Sequence, residues 1–262
     1  GSTVKISTTR GNFESKILIG ADGVFSQVRK KVFGNGLVEY KPALEALVKV
    51  PQEKLNNFNN RVLFDFGGIS KGYGWIFPKR DHFNIGVFSI FGSKNLKNDL
   101  LSFMSRYKTL DEIDKIEYKG FAIPIKNKSG IYQKENIWLI GDAAGFAESV
   151  YGEGIYFALS SSLVAKKAIE KCLISPQYEL YTKYLRKELT RELKYSEFNA
   201  KILYSGQKFG FYKMVRNEYL NYYFGELITG TVSHRKCFYT TLFTTPFWLF
   251  SKKIPYNKVI KL

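Results

Sequence analysis

Ile137-Trp138-Leu139-Ile140-Gly141-Asp142-Ala143-Ala144-Gly145 is a short apolar run that stops on a glycine, an acid and small residues, and Gly152-Glu153-Gly154-Ile155 follows soon after. An apolar run that ends so abruptly reads as a strand buried in a parallel sheet, with a glycine-rich loop at its C-terminal end. From Glu153 to Cys172 the spacing predicts a long apolar helix. Strand, small-residue loop and helix in this order predict an α/β fold.

The same string carries chemistry. Small residues let another group come close to the backbone. An ionised Asp142 accepts hydrogen bonds from sugar-type hydroxyls. The helix beginning near Glu153 aims its unpaired N–H groups and positive dipole end at whatever the loop holds. That terminus suits a phosphate, or an electron-rich ring that becomes anionic on reduction. A second string, Ile19-Gly20-Ala21-Asp22-Gly23-Val24-Phe25-Ser26-Gln27-Val28-Arg29, repeats the logic nearer the start. A strand ends in an acid and a glycine, Ser26 is placed to cap the next helix, and Arg29 projects from its first turn. Asp22 is placed either to accept from a ribose or to order a loop beside a pyrophosphate.

Working outward, Val4 to Thr9 and Phe13 to Ile19 read as two strands around the turn Arg10-Gly11-Asn12, and Ser26 to Phe33 as a helix. Leu44 to Val50 and Arg61 to Phe66 read as strands. Tyr73 to Phe77 and Phe83 to Ile90 flank Pro78-Lys79-Arg80-Asp81 as a hairpin. Asn98 to Tyr107 has helical spacing, and Lys119 to Ile125 is a strand whose Pro124 places it near an edge or a strand end. From Gln177 onward the chain reads as mostly helical, with an irregular aromatic tail after Gly230.

Composition bounds the rest. The 262 residues are 45% hydrophobic and 24% charged, an ordinary globular mixture. The net charge is +17 with 16% aromatic residues, which points to nucleic acid, an anionic membrane surface or a phosphate-bearing ligand. Residues 163–262 hold 18 of the 40 basic side chains but only 7 of the 23 acidic ones. Cys172 and Cys237 form neither a disulfide framework nor a metal-ligand spacing, which suits a reducing compartment, and no metal site is expected. Phe238 to Phe250 is too short to cross a bilayer.

The two glycine-acid strings resemble the "DG" and "GD" motifs of flavoproteins with the p-hydroxybenzoate hydroxylase fold, in the right order. Gly72-Tyr73-Gly74-Trp75-Ile76-Phe77-Pro78-Lys79, with Asn84-Ile85-Gly86, is similar to the signature of the geranylgeranyl reductase family. Phe121-Ala122-Ile123-Pro124 looks like that family's strand before the GD segment. The resemblance covers about residues 4–172. It implies an FAD-dependent oxidoreductase that saturates carbon–carbon double bonds of an isoprenoid or similar lipid chain. FAD would contact Asp22, Gly23, Arg29, Gly141, Asp142, Gly152, Glu153, Gly154 and Ile155, and Tyr73, Trp75, Phe77 and Lys79 would line the substrate cavity. The electron donor would be NAD(P)H or ferredoxin. No catalytic residue is named; Tyr73, Lys79 and Tyr151 are candidate proton donors. Within the same fold a flavin monooxygenase or halogenase is the alternative, and a non-catalytic membrane- or lipid-binding fragment is another.

Three departures from the family pattern stand out. Ser149 occupies the GD loop where proline is usual, and Ser162 occupies the helix where glycine is usual. No Gly-x-Gly-x-x-Gly follows a first strand, so the grip on the ADP half of the cofactor is missing and weak FAD binding is expected. The expectation is a cofactor domain incomplete at its N-terminus.

The expected organisation is a partial FAD-binding, Rossmann-like domain over 1–36 and 120–172, an antiparallel-sheet substrate domain over 37–119, and a helical region over 173–262. His82 and His234 read as surface or turn residues. Gly67 to Gly72 lacks the ending of a phosphate-binding loop. Lys183, Arg186, Lys187, Arg191 and Lys194 recur at helical spacing with Glu188, Glu192 and Glu197 interleaved, which reads as a solvated amphipathic helix. Aromatic residues from Phe238 to Phe250, ahead of Lys252 and Lys253, suit docking on an anionic bilayer. No motif supports specific nucleic-acid binding. The expected location is the cytoplasm, with peripheral attachment at the cytoplasmic membrane.

Overall fold

The structure, a computed structural model, describes residues 3–58, 61–107, 115–205 and 218–250. It divides into two units. One holds residues 1–40 and 123–197, the other 41–122 and 198–262.

The first unit is α/β. Strands β1 (Val4–Thr8) and β2 (Gly11–Ser15) form an antiparallel ribbon whose turn uses Gly11 at φ 126°. Strand β3 (Leu18–Gly20) is separate, because Ser15 caps a break by bonding the Ile17 carbonyl. The single strand expected from Phe13 to Ile19 is therefore two. In the first unit β10 (Ile137–Leu139) is the central strand of three. It pairs in parallel with β3, Leu18 opposite Ile137, and antiparallel with β9 (Gln133–Lys134). Helices α1 (Gln27–Phe33), α4 (Gly141–Ala144), α5 (Ile155–Ile174) and α6 (Leu180–Glu188) follow their strands or loops, and α7 (Thr190–Ser205) begins in this unit. Trp138 is fully buried and stacks on Tyr181 with centroids 4.7 Å apart, and the Tyr181 hydroxyl donates to the Leu139 carbonyl. That bond ties α6 to the strand that carries Asp142.

The second unit is built on a five-stranded sheet in the order β5 (Leu63–Asp65), β6 (Gly72–Pro78), β7 (Phe83–Ser89), β4 (Val38–Lys49), β8 (Lys115–Asn127). Antiparallel registers join β5 to β6, β6 to β7 and β7 to β4. Strand β8 lies at an edge of the sheet, one of the two positions that Pro124 leads the sequence to expect. Alternation gives the sheet two characters. One face contributes Ile76, Ile85, Val87, Ala46 and Val48 to a core closed by Leu100 and Phe103 of α3 (Leu96–Met104). Gly74 makes room for the Phe103 ring, since a Cβ there would fall 2.6 Å from it. The other face carries the aromatic residues described below. A short α2 (Gln52–Asn57) completes the turn after β4, and α8 (Glu218–Thr229) and α9 (His234–Phe250) follow.

From His234 to Phe250 the tail is thus helical, where the sequence predicts irregular structure after Gly230. Gly230, at φ 73°, ends α8, and the Ser233 hydroxyl accepts from the Lys236 N–H to start α9. His234, expected at the surface or in a turn, is only 8% exposed, at the start of that helix. The side chains of Phe247 to Phe250, and Lys252 and Lys253, lie outside the described residues. No described helix is long and apolar enough to cross a membrane.

Candidate functional site

In the first unit the parallel pair brings the two glycine-acid strings side by side. Ile140 donates its N–H to the Gly20 carbonyl at 3.0 Å, so both strands end level and both loops leave in the same direction. A Cβ at Gly20 would fall 2.7 Å from Leu139, which explains why the strand must be bare there. Between the loops lies a cavity of about 410 Å³ lined by Ala21, Gly23, Pro124, Asp142, Gly154 and Ala158 among others. Its size is in the range of small-molecule sites. Gly141, Gly152 and Ile155 also line it.

Asp142 is half-buried, in the first turn of α4. Desolvation raises its carboxyl above the usual value of 3.8. Its carboxylate has no hydrogen-bond or ion partner among the described residues. A Cβ on Gly154 would lie 3.2 Å from Asp142 Oδ1, so a side chain there would push that oxygen back by a few tenths of an ångström. Gly141 sits at φ 53° and donates its N–H to the buried Ser161 hydroxyl at 3.0 Å, while Gly152 turns at φ 73°.

Other expected contact residues have structural occupations. Asp22 Oδ2 accepts from the N–H groups of Gln27 at 2.7 Å and Val28 at 3.1 Å, capping α1 beside Ser26, whose hydroxyl accepts from Arg29 N. Burial alone would raise the Asp22 carboxyl, but hydrogen bonds from Ser26, Val28 and Gln27 outweigh it and hold the value below 3.8. This geometry matches loop ordering, the second of its two sequence roles. Arg29 is 2% exposed. Its guanidinium donates to the carbonyls of Ala143 and Val24 and to the Tyr40 hydroxyl, each at 2.6 Å, and so clamps α4 to α1. Glu153 caps α5 through Oε1, which accepts from Tyr156 N at 2.7 Å, and Ile155 is 76% exposed on its first turn.

One residue of this loop escaped the sequence reading. Glu148 is buried, and its carboxylate accepts from the N–H groups of Val150 and Tyr151 and from the Ser196 hydroxyl at 2.8 Å. Ser196 in turn accepts from Ser149 N, the residue that replaces the usual proline. The available signal was that Glu148 is the one charge between Asp142 and Glu153.

In the second unit Tyr73, Trp75 and Phe77 project from one face of β6 in a row. Trp75 lies 5.7 Å from Tyr73 and 6.0 Å from Phe77, with Phe64, Phe66 and Phe88 around them. Trp75 Nε1 donates to Asn84 Oδ1 at 2.7 Å, and Asn84 Nδ2 donates to Glu45 Oε2 at 2.8 Å. Tyr73 and Trp75 are buried in this row. Lys79 is exposed at the hairpin turn, where its backbone N–H donates to the His82 carbonyl. Among the described residues, no cluster of His, Cys, Asp or Glu could hold a metal ion.

No family model matches the chain. It is 33% identical over 216 residues to an uncharacterised protein of Methanosarcina barkeri, covering 79% of this chain and 53% of that one. It is 34% identical over 179 residues to a chloroplastic geranylgeranyl diphosphate reductase of Oryza sativa, with 64% and 36% covered. A digeranylgeranylglycerophospholipid reductase of Methanococcus vannielii is 33% identical over 172 residues, with 63% and 43% covered. The chain spans about half the length, or less, of these relatives. Among solved structures, a geranylgeranyl bacteriochlorophyll reductase-like protein of Thermoplasma acidophilum superposes with a TM-score of 0.62 at 21% identity, covering 77% of this chain and 54% of that one. A likeness at that identity establishes the flavoprotein fold.

Proposed function

The chain is a homologue of the geranylgeranyl reductases, and on that footing we propose that it is an FAD-dependent oxidoreductase that saturates double bonds of an isoprenoid or similar lipid chain. The observation that carries this reading is the half-buried carboxylate of Asp142, which has no partner among the described residues and lines a cavity beside Gly154. A partly desolvated acceptor with no protein donor among the described residues suits a ligand rich in hydroxyl groups, and the ribityl chain of FAD is one.

The residues present fit that cofactor. Asp142 would accept from the ribityl hydroxyls, and Gly152 to Ile155 would lie along the ring, with the positive end of the twenty-residue α5 beside it. Gly23 and the loop that Asp22 orders would stand near the phosphates. Bound FAD supplies hydride transfer to an alkene. The protein's part is to hold the loops through Arg29 and Glu148 and to offer an apolar wall to the substrate. Tyr73, Trp75 and Phe77 supply that wall, and Lys79 stands at its rim. Reducing equivalents would come from NAD(P)H or ferredoxin.

The test is flavin occupancy in the full-length protein. Asp142→Ala should abolish it, and unchanged occupancy would overturn the assignment. Anaerobic reduction of a geranylgeranyl chain supports a reductase. Oxygen-dependent NAD(P)H consumption without alkene reduction would instead identify a monooxygenase or halogenase.

A further inference from the structure

The basic helical stretch is the amphipathic helix the sequence predicts, and the structure adds where its charges lie. Helix α6 buries Tyr181 and Leu185 on one side. Its opposite side presents Lys183, Arg186 and Lys187, and together with Thr182 of the same helix and Arg191 of α7 these line a concavity of about 510 Å³. Two of the interleaved acids are paired elsewhere. Glu188 is drawn away to Lys167 Nζ at 2.8 Å, and Glu197 to Lys126 Nζ at 2.8 Å. None of the four cations has a carboxylate within ion-pair distance among the described residues, and Glu179 is the one acid lining the concavity. Four like charges against one lining carboxylate repel one another, and an external anion would relieve that repulsion. A second feature adjoins it in sequence. At the C-terminal end of α5, a few residues before α6, Leu173 is 59% exposed and Ile174 84% exposed.

We propose that this cationic face of α6 and α7, with the apolar end of α5, is a docking surface for an anionic phospholipid bilayer. Lysine and arginine attract lipid phosphates across the interface, while exposed aliphatic side chains enter the acyl boundary. The surface thus differs from the aromatic tail that the sequence nominated. The proposal goes beyond the reductase reading and does not depend on it, since vesicle binding needs neither flavin nor alkene.

The experiment is co-sedimentation of the full-length protein with vesicles of phosphatidylcholine, with and without phosphatidylglycerol. Binding should require phosphatidylglycerol and weaken with salt. Lys183→Glu with Arg186→Glu should lower partitioning at least about tenfold. Lys5→Glu with Lys16→Glu, an equal change in net charge at other exposed positions, should leave it near the parent's value. Ile174→Asp, which keeps every cation, should lower it several-fold. Equal binding to neutral vesicles overturns the proposal, as does an equal loss in the Lys5 and Lys16 variant. So does an Ile174→Asp protein that partitions like the parent, because the face would then read a soluble anion. Thermal unfolding of each variant at the parent's temperature verifies the fold.

Discussion

The guanidinium of Arg29 in α1 donates to the carbonyl of Ala143 in α4 at 2.6 Å, joining residues 114 apart in the chain. The charge is buried without a carboxylate and is held by carbonyl oxygens and a tyrosine hydroxyl. Oxygens at the C-terminal end of α4 carry partial negative charge, so the short helix itself helps to hold the cation. Arg29→Met would leave several buried acceptors unpaired. It should cost about 3 kcal/mol of stability, read as a lower urea midpoint at constant slope. Arg29→Lys should recover little of this, because an ammonium cannot span the same fork of acceptors. A midpoint within about 0.5 kcal/mol of the parent for Arg29→Met would show that the clamp is dispensable.

Asp142 should show a conflict between stability and function. Its folded pKa is raised, so the folded state binds the proton more tightly than the unfolded chain does. Its favourable contribution is therefore complete below the unfolded value of 3.8 and is lost as pH rises through the folded value. At neutral pH the ionised, desolvated carboxylate is a cost to folding. Asp142→Asn should raise the melting temperature at pH 7, and the difference should vanish below pH 3.8. The same variant should lose flavin. A melting temperature that falls at pH 7 would mean that the carboxylate has a stabilising partner.

Gly154→Ala tests the cavity without touching the charge. The backbone there, at φ −124°, accepts a side chain, but the added Cβ would meet Asp142 Oδ1 at 3.2 Å. The carboxylate must retreat by a few tenths of an ångström from the position in which it faces the cavity. Flavin affinity in the full-length protein should fall about tenfold, or about 1.4 kcal/mol, with little change in thermal unfolding. Equal affinity would show that this oxygen does not receive the ligand.

The strand ends and the glycine loops were legible because their residues have few other uses. Four apolar residues followed by Gly141-Asp142 leave little alternative to a buried strand and a tight exit, and the parallel pairing with β3 follows. The occupations of Asp22, Arg29 and Glu148 were not legible. Each depends on which backbone groups a distant loop leaves unpaired, and local spacing carries no record of that. The final helix was misread for a related reason. Threonine and proline are poor helix formers in isolation, yet Gly230 and Ser233 set a strong stop and start around it. The amphipathic character of α6 was legible, but the pairing of its acids was not, because sequence neighbours are not spatial partners. Glu188 and Glu197 are interleaved in the chain but paired elsewhere in space.

Gly86 is the position at which the aromatic wall is most open to challenge. It lies opposite Trp75 in the β6–β7 register, and a Cβ there would fall 2.1 Å from the indole Cζ2. The indole rests on bare backbone, its N–H fixed by Asn84 and Asn84 fixed by Glu45. Gly86→Ala cannot be absorbed by a small shift, because the clash is with the rigid ring of a buried residue. The indole must swing off β7 and give up the Asn84 bond, at a cost of about 1–3 kcal/mol in stability. If Trp75 forms the wall against which an isoprenoid chain lies, the full-length variant should show a raised KM for the chain with its flavin content unchanged. That split separates a substrate wall from a purely structural aromatic row, in which stability would fall while KM stayed constant in the folded fraction. Asn84→Leu, which removes the hydrogen bond but not the glycine slot, should reproduce the KM effect in milder form.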